Sequence, residues 1–238
     1  IIFKYKYGTK INIWVQDLWP DVLIDLKITN NPLILYLVRL VTKTVYKNSD
    51  YIYVQSESFK NSIKKFTKKD VKILYNPEIK YQNKFRYKKN KITNLIFAGN
   101  LGKAQNLKVL VNACKKIKNE NILIRIYGNG SEKNSLKKLI RENNLKSHIK
   151  ILNPISPKLL IKELRKADGL LITLDKGSAL SKTLPAKLQT YLSIGKPIIC
   201  SADGELFRFI KKYDLGFASK ANDENMLANS IKKIQNLK

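Results

Sequence analysis

The sequence predicts an α/β protein built from doubly wound parallel sheets. Three observations carry this. From residue 93 onward, short apolar runs alternate with helical patterns about 10–15 residues long, the signature of parallel βαβ units. Each run stops at a turn rich in Gly, Pro, Asn or Ser. The same alternation, in shorter form, occupies the first 77 residues, and a charged stretch without apolar period divides the two halves.

Taken in order, "INIWVQ" (11–16) alternates as a strand and runs into "DLWPD". A helix is expected over 21–46, broken near Asn30-Asn31-Pro32. "DYIYVQS" (50–56) is a strand, "SESFKNSIKKF" (56–66) a helix opened by a capping Ser, and "VKILYNP" (71–77) a strand stopped at Asn-Pro. "EIKYQNKFRYKKNK" (78–91) reads as a linker, and the domain division is 1–77, a linker at 78–92, and 93–238. In the second half, strands are expected at 94–99, 122–128, 149–152, 169–174 and 197–201. Helices are expected at 105–118, 131–143, 156–167, 185–195, 204–212 and 223–237. The first of these lines up Leu107, Leu110, Val111, Cys114 and Ile117 on one face.

A length of 238 residues suits one large or two modest domains. The chain opens on Ile and is at once rich in Lys and Tyr, so a missing native N-terminus, and an incomplete first domain, are expected. The apolar share of 44% is ordinary for a globular protein. The densest apolar stretch, 31–46, is interrupted by Arg39 and Lys43, and so does not read as a membrane span. Cys114 and Cys200 stand far apart in apolar settings, which fits buried thiols in a reducing compartment. A single His, His148, leaves no material for a His-based metal site or a Ser-His or Cys-His pair.

The net charge of +28 has two readings. One is a composition skewed toward Lys, Asn and Ile by A/T-rich codons; the other is attraction to an anionic membrane surface or to nucleotide phosphates. Only six of the 46 basic residues are Arg, and base-reading proteins rely on Arg forks, so nucleic acid is not expected as a partner.

Ligands of doubly wound sheets bind at the carboxyl ends of the strands. The first strand end of the second half offers "AGNLGKAQN" (98–106), where two Gly permit close backbone approach and Lys103 adds a cation; a plain βα turn would look alike. "YGNGSE" (127–132) follows the second, with Glu132 open to a capping role. "NPIS" (153–156) follows the third as a rigid turn. "DKGSALSKTLPAKLQ" (175–189) is long for a connector, and Ser181, Thr183, Lys182, Lys187 and the amides after Pro185 could hold a phosphate. "ADGE" (202–205) puts Asp203 and Glu205 at the last strand end, as helix cap or ligand contact. Together these loops describe a nucleotide-diphosphate site.

The succession "FAGNLGKAQNL", "IYGNGSE", "KADGLLITL", "TLPAKLQTYLSIGKPII" and "SADGE" resembles the C-terminal domain of glycosyltransferase family 4, which has the two-domain GT-B fold. "VQDLWPD", "GNLGKAQ" and "PAKLQTYL" followed by "GKPI" resemble the bacterial branch that builds surface polysaccharides, including colanic-acid and O-antigen transferases of fucosamine-type or N-acetylglucosamine-type sugars. The resemblance implies a retaining, metal-independent transfer of a hexosyl or N-acetylaminosugar unit. The donor is UDP- or GDP-linked, a substrate and not a cofactor. The acceptor is a lipid-linked glycan, met by a cytoplasmic enzyme peripheral on the anionic inner face of the plasma membrane. It implies catalytic roles for Lys103 and Asp17. It places the donor against Gly99, Asn100, Gly102, Gln105, Gly128, Asn129, Pro154, Ser181, Lys182, Thr183, Leu184, Pro185, Lys187, Gly204 and Glu205.

The chain departs from the family pattern. Lys182 and Thr190 stand where many members have Glu, and Gln16, followed by Asp17, stands where many have His. The alternative expectation is an inactive remnant that binds a nucleotide-sugar or a partner.

Overall fold

Strands flanked by crossover helices are buried on both faces, which is why the second half's strands read as continuous apolar runs. The structure, a computed structural model, describes residues 2–78, 91–177 and 179–237. Most of the expected linker, residues 79–90, lies outside the described residues, as does Ser178 of the long loop. The chain packs as two units: Ile1–Pro77 with Gly177–Leu184, and Glu78–Lys176 with Pro185–Lys238.

The first unit runs α1 (Ile2–Tyr7), β1 (Asn12–Val15), α2 (Asp21–Asp25), α3 (Pro32–Asn48), β2 (Tyr51–Val54), α4 (Glu57–Ile63) and β3 (Val71–Ile73). Its sheet is β1-β2-β3, all parallel. Val15, Ile52, Val54, Val71, Phe59 and Ile63 fill the core, with Tyr46 of α3. The helix expected over 21–46 is two helices with a gap at 26–31. Pro32 opens the second, and the Asn31 side chain caps it by accepting Leu33 N–H at 2.9 Å, so the chain restarts a helix there. The helix α1 was not foreseen. It buries no residue, so apolar spacing carried no signal for it.

The second unit runs β4 (Thr93–Ala98), α5 (Lys108–Lys116), β5 (Ile122–Tyr127), α6 (Lys133–Glu142), β6 (Ile149–Leu152), α7 (Pro157–Lys166), β7 (Gly169–Thr173), α8 (Lys187–Ile194), β8 (Ile198–Ser201), α9 (Gly204–Lys212), β9 (Gly216–Ser219) and α10 (Glu224–Gln235). The six strands are parallel in the order β6-β5-β4-β7-β8-β9. The order reverses between β4 and β7, which makes the carboxyl ends of those two strands the switch point of the sheet. All five residues expected on the inner face of α5 are buried in the core. The strand β9 was not foreseen, because four residues, "GFAS", are too short to show a period. Its Gly216 lies so close to β8 that a Cβ would fall 2.2 Å from the Ile198 carbonyl oxygen.

The loop Gly177–Leu184 groups with the first unit, whereas the sequence placed all of 93–238 in the second. The reason is a carboxylate. Asp25 accepts the Ala179 and Leu180 N–H groups at 2.5 and 3.1 Å, capping a 3-10 turn at Leu180–Lys182. The Ser56 hydroxyl donates to the Lys182 carbonyl at 2.8 Å.

Candidate functional site

The switch point is built from backbone packed on backbone. Gly99 N–H donates to Tyr127 O at 3.0 Å, Leu101 N–H to Asn129 O at 2.8 Å, and Glu132 N–H to Leu101 O at 2.8 Å. The loops after β4 and β5 are thus stitched together. A Cβ on Gly128 would sit 2.0 Å from Gly99 O, so no other residue fits there without moving one loop. The loop after β4 is tied to β7 in turn: Thr173 Oγ1 donates to Gln105 O at 2.5 Å, and Asp175 N–H to Ala104 O at 2.8 Å. Asn106, in the left-handed region at φ 36°, donates its amide to Asp175 and to Asn222.

Two expectations change here. The backbone of Gly99 and Gly102, expected against the donor, has its amides engaged inside the protein, Gly102 N–H donating to Gln105 Oε1 at 3.3 Å. Short loops satisfy their own amides first, so Gly99 and Gly102 contribute closeness rather than donors. Gln105, expected on the donor, turns its side-chain oxygen back onto its own loop.

Lys187 is the most unusual group. It begins α8, and its stem is partly exposed while Nζ is out of contact with solvent and has no hydrogen-bond partner. Nζ lies 3.8 Å from the centre of the Phe97 ring, and a Cβ on Gly99 would come within 2.8 Å of it. Burial pulls its pKa down from 10.5 to about 7, and no charged group offsets this. The position is unfavourable for a cation a second time, since the N-terminus of a helix is its positive end. The ring face of Phe97 supplies partial compensation. One turn on, Tyr191 is fully buried and its hydroxyl accepts Ala98 N–H at 3.0 Å, pinning α8 to β4; burial pushes that phenol well above its ordinary pKa.

The other predicted residues distribute as follows. Asn100, Lys103, Asn129 and Pro154 are exposed at the carboxyl ends of β4, β5 and β6, and Lys103 lies in a 3-10 turn. Asp203 stands at the cap position of α9, yet its carboxylate accepts Ala221 N–H at 3.2 Å. Gly204 takes φ 65°, and Glu205 pairs with Arg208 at 2.9 Å. Glu132 pairs with Lys108 at 3.8 Å and makes no side-chain cap. Pro185 falls in the second unit, but Ser181, Lys182, Thr183 and Leu184 group with the first. There Lys182 Nζ is 3.8 Å from Asp21, the Thr183 hydroxyl donates to Ala179 O at 3.0 Å, and Leu184 is buried. Asp17, also of the first unit, is exposed after β1 on a groove of about 400 Å³ lined by Trp14, Gln16, Trp19, Val41 and Tyr46. Among the described residues there is no cluster of His, Cys, Asp and Glu able to hold a metal, and no helix long and apolar enough to cross a membrane.

Phe97, Tyr191 and Asp25 escaped the sequence reading. Tyr191 had a signal, being one helical turn from Lys187; Asp25 had none, since its partners lie more than 150 positions along the chain.

Comparison with known proteins places this arrangement. Residues 77–238 match the family described as glycosyl transferases group 1. The chain is 23% identical over 260 aligned residues to "Probable glycosyltransferase WbjE" of Pseudomonas aeruginosa, covering 98% of this chain and 62% of that protein. The structure of HepE from Anabaena in complex with UDP-glucose superposes with a TM-score of 0.75 at 13% identity, covering 98% of this chain and 64% of that one. TarM of S. aureus, solved with UDP, gives a TM-score of 0.71 at 14% identity, covering 97% of this chain and 45% of that one. The chain therefore spans between about half and just under two thirds of the length of these relatives. The fold is GT-B, with Rossmann-like parallel sheets, and the chain belongs to the glycosyl transferases group 1 family.

Proposed function

We propose that the second unit binds a nucleotide-diphosphate sugar and that the protein transfers its sugar to a lipid-linked glycan in the assembly of a bacterial surface polysaccharide. The observation that carries the donor reading is the buried, unpartnered Lys187 ammonium at the sheet's switch point, beside a Gly99 whose missing side chain leaves room for it. A group so placed lacks an anion, and UDP and UDP-glucose occupy the relatives HepE and TarM by the description of those structures.

The proposed chemistry is a retaining, front-face displacement in the manner of family 4. The bond from the anomeric carbon to the diphosphate breaks, the bond to the acceptor oxygen forms on the same face, and the acceptor proton passes to the leaving diphosphate. The protein's part is to hold and neutralise that diphosphate. Lys187 and Lys103 supply charge; Asn100, Gly128, Asn129 and Pro154 border the nucleotide; Glu205 reaches a sugar or ribose hydroxyl. Asp17 and its groove in the first unit serve the acceptor. No metal is required in this scheme.

An anionic membrane surface fits the first unit. The helix α3 exposes Leu33, Ile34, Tyr36, Leu37, Leu40 and Val41, and carries Arg39, Lys43 and Lys47 without an acidic residue. The position is the inner face of the plasma membrane, with the protein peripheral to it.

The test is a thermal-shift panel of UDP- and GDP-sugars, followed by transfer to undecaprenyl-linked glycans with the anomeric configuration of the product read by NMR. A ligand that binds the native state raises its melting temperature. Absence of any shift and of any transfer overturns the reading; binding without transfer favours a donor-binding module.

A further inference from the structure

We propose that Lys187 is a proton-coupled anchor for the donor's diphosphate: its ammonium is held away from water at the head of α8 without a counter-ion, the ligand supplies the missing anion, and the protein takes up a proton as the ligand binds. This rests on the donor reading above and adds to it a pH-dependent device.

The surroundings account for the coupling. Phe97 of β4 offers a ring face, and the Gly99 loop offers backbone only. On α8 the titratable neighbour is Tyr191, whose hydroxyl is bound to Ala98 N–H. The strand β7, "GLLIT", has no ionisable side chain. The helix α7 packs on α8 and bears Lys158, Lys162, Glu163, Arg165 and Lys166, yet none of these shifts Lys187; burial is the sole cause of its depressed pKa. With only the Phe97 ring face, and no counter-ion, to stabilise the charge, the free site holds the amine in its neutral form above a pH of about 7. A diphosphate diester carries two negative charges, and in a water-poor site their attraction for an ammonium is large. The bound state therefore keeps Lys187 charged to higher pH than the free state. A proton moves from solvent to Nζ on binding, and no other bond changes. Lys103, by contrast, is exposed.

The sign follows. Below about pH 7 the free site is already protonated, and affinity does not depend on pH. Above it, each unit of pH weakens binding by up to tenfold, until the pKa of the bound state is reached.

The experiment is calorimetric titration of the full chain with UDP-glucose and with GDP-mannose, whose doubly esterified diphosphates do not themselves titrate near neutral pH. It is run in buffers of different ionisation enthalpy, at pH values below and above 7. The expected result is an uptake approaching one proton per ligand on the alkaline side, with a matching loss of affinity. Lys187→Arg, with a guanidinium that stays charged, should bind with no uptake and a flat pH profile. Lys187→Met should bind at least tenfold more weakly, also without uptake. Binding by the wild type with no proton uptake, or uptake that persists in Lys187→Arg, overturns the coupling and leaves the donor reading standing. No binding of either probe overturns both.

Discussion

Replacing Lys187 by Met should make the ligand-free protein more stable. The ammonium is removed from water without a partner, and its pKa falls from 10.5 to about 7. At about 1.4 kcal/mol per pKa unit, that shift corresponds to a penalty of about 5 kcal/mol when the group is charged. The Phe97 ring returns about 1–2 kcal/mol of it, and the Met side chain keeps most of the packing of the stem. The net gain is about 3 kcal/mol, or about 6–12 °C in melting temperature for a chain of this size. The pH dependence tests the cause. Below about pH 7, folded and unfolded chains both carry the charge, and the penalty is complete. Between about 7 and 10.5 the unfolded chain holds more protons, so wild-type stability rises with pH, and the advantage of the Met variant shrinks across that window. Urea unfolding of both proteins over this pH range is the assay. A variant no more stable than wild type below pH 7, or an advantage that grows with pH, would refute the reasoning. Stability gained here and donor affinity lost are two sides of one unpaired charge.

Gly128→Ala should cost about 2–4 kcal/mol by urea unfolding, because its Cβ would lie 2.0 Å from the Gly99 carbonyl and the loops it separates are hydrogen-bonded to each other. Asp25→Ala should cost about 1–3 kcal/mol and speed hydrogen exchange at Ala179 and Leu180, whose amides lose their acceptor. Glu163, held below its ordinary pKa first by its hydrogen bond from Lys166, contributes stability that is present above about pH 4.5 and lost as pH falls through its folded value; Glu163→Gln should flatten that acid limb by about 1 kcal/mol or less, given its open side to water. Donor binding followed calorimetrically should be unchanged by EDTA; a loss of affinity restored by a divalent cation would refute the metal-independent scheme.

Much of the second unit was readable because its strands are buried on both faces and its helices on one, so that burial imprints a period on the chain. The inner face of α5 came through residue for residue. The elements that were missed are those where burial leaves no such imprint: α1, which buries nothing, and β9, four residues long. The loops that gather at the switch point were recognisable from Gly99, Gly102 and Gly128. Their use was not: the sequence does not show that the Gly99 amide is taken by Tyr127, or that Gln105 folds back on Gly102.

By itself, then, the sequence determined the class of fold, the strand ends at which a ligand would gather, and the cationic character of the loop entering α8, because each of these depends on local pattern and residue type. Only the tertiary structure decided which of these cations is shut away from water and why. Lys182 and Lys187 are five positions apart and chemically identical; one stands near Asp21, and the other is closed off over Phe97 with no partner. The difference is one of solvent exclusion and counter-charge, both set by residues distant in the chain.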